Sequence, residues 1–137
     1  MRSKETFEIT SGLNIVSLSK KKTNCRSLKI LNVRYTTASA NQLFMMIKFQ
    51  GWDDHTLTKG GNQYRYTKLI MMPNTTSSQI LYENNSPDPD VIKGNNYNDI
   101  SNFTLEVFVG TSSTVEYTTD INSSNPIYIE FEIEHEE

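Results

Sequence analysis

Apolar and polar residues alternate with a period of two in several stretches of this chain. The clearest stretches are residues 102–109 and 127–133, where every second position is apolar. Such alternation indicates strands that bury one face. The positions expected to face a core are Phe103, Leu105, Val107 and Val109 in the first stretch and Ile127, Ile129, Phe131 and Ile133 in the second.

Two further stretches depart from simple alternation in informative ways. Residues 43–49 are largely apolar on both faces, which predicts a central strand or one whose outer face is covered. In residues 27–35 the apolar phase slips between Ile30 and Leu31, which predicts a β-bulge. Weaker strand candidates are residues 5–10, 14–18, 64–72, 79–83 and 114–118.

These segments amount to about eight or nine strands separated by turn signals, with no helical period between them. The clearest turn is Lys59-Gly60-Gly61-Asn62, and the longest expected loop is residues 84–99. The prediction is an all-β protein, a single jelly-roll antiparallel β-sandwich of about eight strands. Residues 1–20 are expected to form an N-terminal arm or first strand, and residues 21–137 the jelly-roll domain.

Composition and charge narrow the classes of function. The 137 residues are 36% hydrophobic and carry a net charge of −3, which argues against direct nucleic-acid binding. Residues 20–34 are basic and residues 130–137 acidic, either as two solvated strands or as a polarised surface. The first ten residues do not resemble a signal peptide, and no apolar run approaches the roughly 18 residues of a membrane-spanning helix.

Candidate chemistry is sparse. Cys25 is the only cysteine, expected to be a buried or half-buried thiol at a strand edge rather than a nucleophile. The cluster Asp53-Asp54-His55 falls short of a metal site, and the only other histidine is His135. An oxygen-rich calcium loop is a further alternative, through Asp88, Asp90, Asn95, Asn98 and Asp99. We expect no catalytic residue, no metal and no cofactor, and hence a protein that is not an enzyme.

Apolar residues on strand faces that should be solvated are the stronger signal. Such residues indicate contact with another subunit. Trp52, in the loop after residues 43–49, is either an exposed anchor or stacking platform, or a partly buried loop residue. The interface candidates are therefore Phe44, Met46, Trp52, Phe108 and Tyr128.

The final pair of strands, Phe103-Thr-Leu-Glu-Val107 and Ile127-Tyr-Ile-Glu-Phe-Glu-Ile133, within a short single jelly roll, resembles the small capsid proteins of large icosahedral DNA viruses. More narrowly, residues 26–133 are similar in pattern to the penton (vertex) proteins of the double-jelly-roll capsid lineage. That lineage includes nucleocytoplasmic large DNA viruses, virophages and polinton-like viruses.

The resemblance implies a viral structural protein, made in the host cytoplasm, that forms a homopentamer at the icosahedral vertex of the virion. Its neighbours would be major capsid proteins, and an inner membrane would lie close to the shell without being spanned. The alternative is a carbohydrate- or receptor-binding β-sandwich that uses Trp52, Tyr64 and Tyr66 as stacking platforms.

Overall fold

The computed structural model describes residues 1–35, 43–71, 80–83, 92–93, 99–110, 114–117, 121 and 123–136. These residues form eleven strands and no helix, so the described part of the chain is all-β, as predicted. The strands are β1 (Arg2–Ile9), β2 (Leu13–Tyr35), β3 (Phe44–Phe49), β4 (His55–Lys59), β5 (Asn62–Tyr66), β6 (Lys68–Met71), β7 (Ile80–Glu83), β8 (Ile92–Lys93), β9 (Ile100–Gly110), β10 (Val115–Tyr117) and β11 (Ile127–Glu136).

Nine strands belong to one antiparallel sheet that curls into a half-barrel sandwich of two layers. The first layer contains β1, β11, residues 23–35 of β2, and the short strands β7 and β8. The second layer contains residues 13–22 of β2, then β9, β3 and β6, with β10 beside β9. Strand β2 therefore passes from one layer to the other without a break.

Residues 1–20, expected to form an N-terminal arm or first strand, contain β1 and the first part of β2. Residues 2–9 form β1, the edge strand beside β11, and residue 20 lies inside β2. At the crossover Asn24 has a φ of 47°, the left-handed region that asparagine tolerates better than most residues. The turn in β2 is therefore made within a continuous strand and not at a linker.

The predicted bulge in β2 is confirmed. Asn32 lies opposite Glu130, but the next partner of β11, Phe131, lies opposite Ile30, so Leu31 is the extra residue. The insertion restores the phase of the strand. Ile30 and Val33 consequently both face the core although they are three residues apart.

The core lies between the two layers and is built from the alternating positions. All eight inward positions predicted in β9 and β11 are buried. Four phenylalanines join the layers at the centre. The ring of Phe131 in β11 lies 4.9 Å from Phe7, 5.3 Å from Phe49 and 5.7 Å from Phe103 between centroids.

Strands β4 and β5 form a separate two-stranded hairpin between β3 and β6. Its turn is Gly60-Gly61, with φ values of 60° and 81°, which suits a two-residue hairpin turn that needs positive φ at both positions. Residues 64–72, predicted as one strand, are in fact divided at Thr67 between β5 and β6. Strand β4 and the short β8 were not predicted.

Candidate functional site

The outer face of the first layer is a ladder of alternating charge. The acidic residues of β11 run between basic and polar residues of β1 and β2, and Glu132 lies directly between Lys4 and Lys29. Asn32 Nδ2 donates a hydrogen bond of 2.7 Å to Glu130 Oε1. Part of the basic segment, including Lys29, thus lies beside the acidic residues of β11 on this face, while Lys20 to Lys22 belong to the part of β2 in the second layer.

Tyr128 lies on this charged face and is 40% exposed. Its hydroxyl donates a 2.8 Å hydrogen bond to Glu8 Oε2 in β1. That hydrogen bond to the carboxylate, together with the negative charge of Glu8, raises the pKa of Tyr128 above its ordinary value. Among the interface candidates, Tyr128 presents an accessible ring to a neighbour.

The outer face of the second layer is apolar, but its centre is not exposed. Phe44 and Met46 point outward as the alternation predicts, yet they are only 7% and 1% exposed. The Phe44 ring lies over Gly110, where an added Cβ would overlap the ring. Met46 lies between Phe108 and Leu69 of the flanking strands. Phe44 and Met46 are therefore covered within the chain, as expected of a central strand, and they present little surface to a neighbour, while Phe108 is half-buried.

Trp52 is a buried loop residue, which leaves its ring little surface to serve as an exposed platform or interface anchor. The indole is 7% exposed and belongs to the core. The backbone N–H of Trp52 donates to the Phe49 carbonyl at 2.8 Å, and the backbone carbonyl of Trp52 accepts the Thr67 hydroxyl at 2.7 Å. The Thr67 hydroxyl oxygen in turn accepts the Phe49 N–H at 2.9 Å. These three hydrogen bonds among Phe49, Trp52 and Thr67 fix the backbone of the loop that carries Trp52.

The Asp53-Asp54-His55 cluster does not converge on a common point. Asp53 Oδ2 lies 3.7 Å from Lys48 Nζ and 3.5 Å from Arg65 Nε, so this carboxylate is occupied by cations of the protein. The His55 ring packs against Tyr66, with 5.4 Å between centroids. Within the described ranges, no group of three or more His, Cys, Asp or Glu side chains could hold a metal ion.

The other expected sites fall in different places. Asp88, Asp90, Asn95 and Asn98 of the possible calcium loop lie outside the described residues. Asp99 accepts the Asn24 backbone N–H at 3.0 Å and pairs with Lys21 at 3.6 Å. His135 is buried at the end of β11, where its Nε2 lies 2.7 Å from Ser3 Oγ. His135 and His55 lie on different elements, β11 and β4.

A buried polar cluster at the β2 crossover was not anticipated. Lys22 is 8% exposed, and its Nζ lies 3.9 Å from Glu5 Oε2. Glu5 Oε1 accepts the Ser19 backbone N–H at 2.9 Å, which ties β1 to β2. One signal for this cluster exists in the sequence, because Glu5 has the same parity as the inward-facing Phe7 and Ile9.

The cluster extends to Cys25, which is fully buried. Burial raises the pKa of this thiol above its ordinary value, and the negative charge of Asp99 adds to the effect. The environment therefore favours the protonated thiol, the opposite of what activates a cysteine nucleophile.

We expect Cys25 to react with iodoacetamide at pH 8 about 100-fold or more slowly in the folded protein than in urea, because alkylation requires opening of the sandwich. The raised pKa also means that the free energy of unfolding falls as the pH rises past the ordinary thiol value, and Cys25→Ala should remove that decline. Mass spectrometry of samples quenched at successive times measures the rate of Cys25 alkylation in the folded protein and in urea. Equal rates in the two states would contradict the burial of Cys25.

The structure shows no helix suited to crossing a bilayer among the residues that it describes. Comparison with protein families, with curated proteins and with solved structures finds no match to this chain.

Proposed function

We propose that the sandwich is a single jelly roll. Its support is the nested order of pairing among eight strands, obtained when β2 is counted as two strands, before and after the crossover, β7 and β8 are counted as one, and β10 and the separate β4–β5 hairpin are left out. The first strand, β1, pairs with the last, β11. The second, residues 13–22 of β2, pairs with the seventh, β9. The third, residues 23–35 of β2, pairs with the sixth, formed by β7 and β8, and the fourth, β3, pairs with the fifth, β6.

Nested pairing of this kind arises when a long antiparallel ladder rolls up so that its two ends lie in different layers. The resulting orders are first-eighth-third-sixth in one layer and second-seventh-fourth-fifth in the other. Jelly rolls interleave early and late strands in this way through two Greek keys. The four pairings are the single observation on which our functional proposal rests most heavily.

On this fold we propose a structural capsid subunit that forms the pentameric vertex of an icosahedral virus shell. The likeness of the two C-terminal strands to penton proteins of large DNA viruses supports the proposal. Because one jelly roll can serve many functions, assembly of the chain into a vertex is the property to test. Major capsid proteins would surround the pentamer in the virion.

The residues best placed to contact neighbours in such a pentamer are those accessible on the outer faces. Tyr128 on the charged face and the half-buried Phe108 on the apolar face are the surviving members of the predicted set. Tyr128 lies between Glu8 and Arg34 on the adjacent strands. A neighbouring subunit would therefore contact an aromatic ring bordered by charged residues.

Native mass spectrometry of the purified chain tests the oligomeric part of the proposal. We expect a species of five chains, and we expect Tyr128→Glu to weaken it, because the new charge would face Glu8 and any neighbour that packs on the ring. Electron microscopy of particles should place the chain at the five-fold positions. Absence from those positions, or a trimer or monomer in solution, would contradict the vertex role.

The saccharide-binding alternative now depends on the β4–β5 hairpin alone, because Trp52 is buried. Tyr64 and Tyr66 are half-buried on one face of the hairpin, with His55 against Tyr66. Binding on a glycan array that is lost in Tyr64→Ala would favour this alternative over the capsid subunit.

A further inference from the structure

One sheet edge of this protein lacks the features that normally prevent edge-to-edge association. The edge segment, defined as residues 13–18, has the sequence Leu-Asn-Ile-Val-Ser-Leu and contains no charge and no proline. Within the described residues its strand neighbour is β9 on one side alone. Charged side chains, prolines, bulges and short strands are the usual protection of an open edge.

The other edges of the sandwich carry such protection. Strand β1 contains four charged residues, namely Arg2, Lys4, Glu5 and Glu8. Strand β6 begins with Lys68, and β7 and β8 are only four and two residues long. The edge segment thus differs from the other edge strands in having neither a charged residue nor a short length. This difference suggests an edge that another strand covers when the protein assembles.

The backbone register identifies the groups that face outward at this edge. The Val107 N–H donates to the Gly12 carbonyl at 2.8 Å, and Leu13 lies opposite Glu106 in the same ladder. Hydrogen-bonding direction alternates along an antiparallel strand, so the N–H and C=O groups of Leu13, Ile15 and Ser17 point away from β9. The Leu13 carbonyl accepts the Ser11 hydroxyl at 2.7 Å and keeps a second lone pair.

The side chains of the edge segment also leave apolar surface exposed. Ile15 is 76% exposed and Leu13 is 54% exposed, both on the outer face of the second layer. Ile15 is the most exposed large apolar side chain in the part of the chain that the structure describes. Two exposed aliphatic residues beside backbone groups that no described strand pairs with form a surface suited to an added strand.

We propose that the partner of this edge is the same segment of a second copy of the chain, paired antiparallel about a two-fold axis at Ile15. In that register Ile15 lies opposite its counterpart, and Leu13 lies opposite Ser17 of the second copy. Every outward backbone group then meets a matching donor or acceptor. No charge opposes another, and the exposed aliphatic side chains of the two copies lie side by side on one face.

This contact goes beyond the proposed vertex function, because a ring of five chains contains no two-fold axis between its members. The contact would join chains that belong to different rings, or chains outside a shell. Oligomer masses therefore report the two proposals separately. An oligomer whose number of chains is a multiple of five indicates the ring, and a doubling of the monomer or of the ring indicates the edge contact.

The test is native mass spectrometry and light scattering of the full chain and four variants. Ile15→Lys places two like charges at the axis, and Ile15→Pro removes an outward N–H that β9 does not use. We expect both variants to lose the two-fold species while remaining folded, with a single cooperative urea transition. Thr58→Lys adds the same charge to the exposed hairpin and should change nothing.

Met71→Lys separates two geometries of self-association. Met71 is 69% exposed on β6, at the opposite edge of the second layer. We expect this variant to keep the two-fold species, and loss of the species would show head-to-tail contact and overturn the proposal. A parent that is monomeric, or pentamers that do not respond to Ile15→Lys, would overturn it as well. Dimers without pentamers would support the edge contact and contradict the vertex role.

Discussion

Replacing Phe131 with alanine is expected to lower the free energy of unfolding by about 3–5 kcal/mol. Phe131 is fully buried, and its ring contacts Phe7 in its own layer and Phe49 and Phe103 in the opposite layer. Truncation removes the apolar ring and opens a cavity at the point where the layers meet. It also removes three edge or tilted ring contacts that stabilise the structure beyond their buried area.

Urea unfolding followed by tryptophan fluorescence measures this loss, since Trp52 belongs to the same core. Tyr128→Ala is the matched control, because it truncates another aromatic residue of β11 that points out of the core. We expect the control to cost about 1 kcal/mol or less. Similar costs for the two variants would show that β11 is not oriented with Phe131 inward.

The orientation of β11 is also the part of the fold that alternation predicts best. Between Phe103 and Val109 in β9 and between Ile127 and Ile133 in β11, each inward position is apolar and the other face is solvated or lightly covered, so a period of two identifies both strand and orientation. The bulge at Leu31 was visible for the same reason, since a phase slip in an otherwise regular pattern has few other causes.

Strand β4 escaped prediction because its residues are half-buried and exposed in turn, with Leu57 as the single aliphatic residue. Its pairing is determined by the adjacent Gly60-Gly61 turn and by β5, and not by an alternation of apolar residues within β4 itself. The burial of Met46 shows a second limit. Alternation places a side chain on a face, but what packs over that face depends on segments distant in sequence.

The crossover cluster was hidden for a related reason. Lys22 lies in the basic run Lys20-Lys21-Lys22, where the ordinary expectation is a solvated surface. Its burial results from the turn of β2 between layers, which brings the side chain under β1 and beside Glu5. No local pattern distinguishes the buried member of the run from its exposed neighbours.

Replacing Lys22 with methionine is therefore expected to lower the free energy of unfolding by about 2–3 kcal/mol at neutral pH. Methionine preserves most of the apolar stem and removes the charge. The Glu5 carboxylate would then stay largely buried without its cation, with side-chain exposures of 9% for Lys22 and 14% for Glu5. Lys21→Met is the control, because the Lys21 side chain is 59% exposed and should cost about 0.5 kcal/mol or less.

A second substitution shows whether the cost comes from an unpaired charge. In the double variant Lys22→Met with Glu5→Gln, no buried charge remains, and the amide oxygen can still accept the Ser19 N–H. We expect the double variant to recover most of the loss in urea unfolding, because the penalty belongs to the isolated carboxylate and not to the missing ammonium group. Additive losses from the two substitutions would mean that Glu5 and Lys22 stabilise the crossover independently, through their separate contacts with β2 and β1.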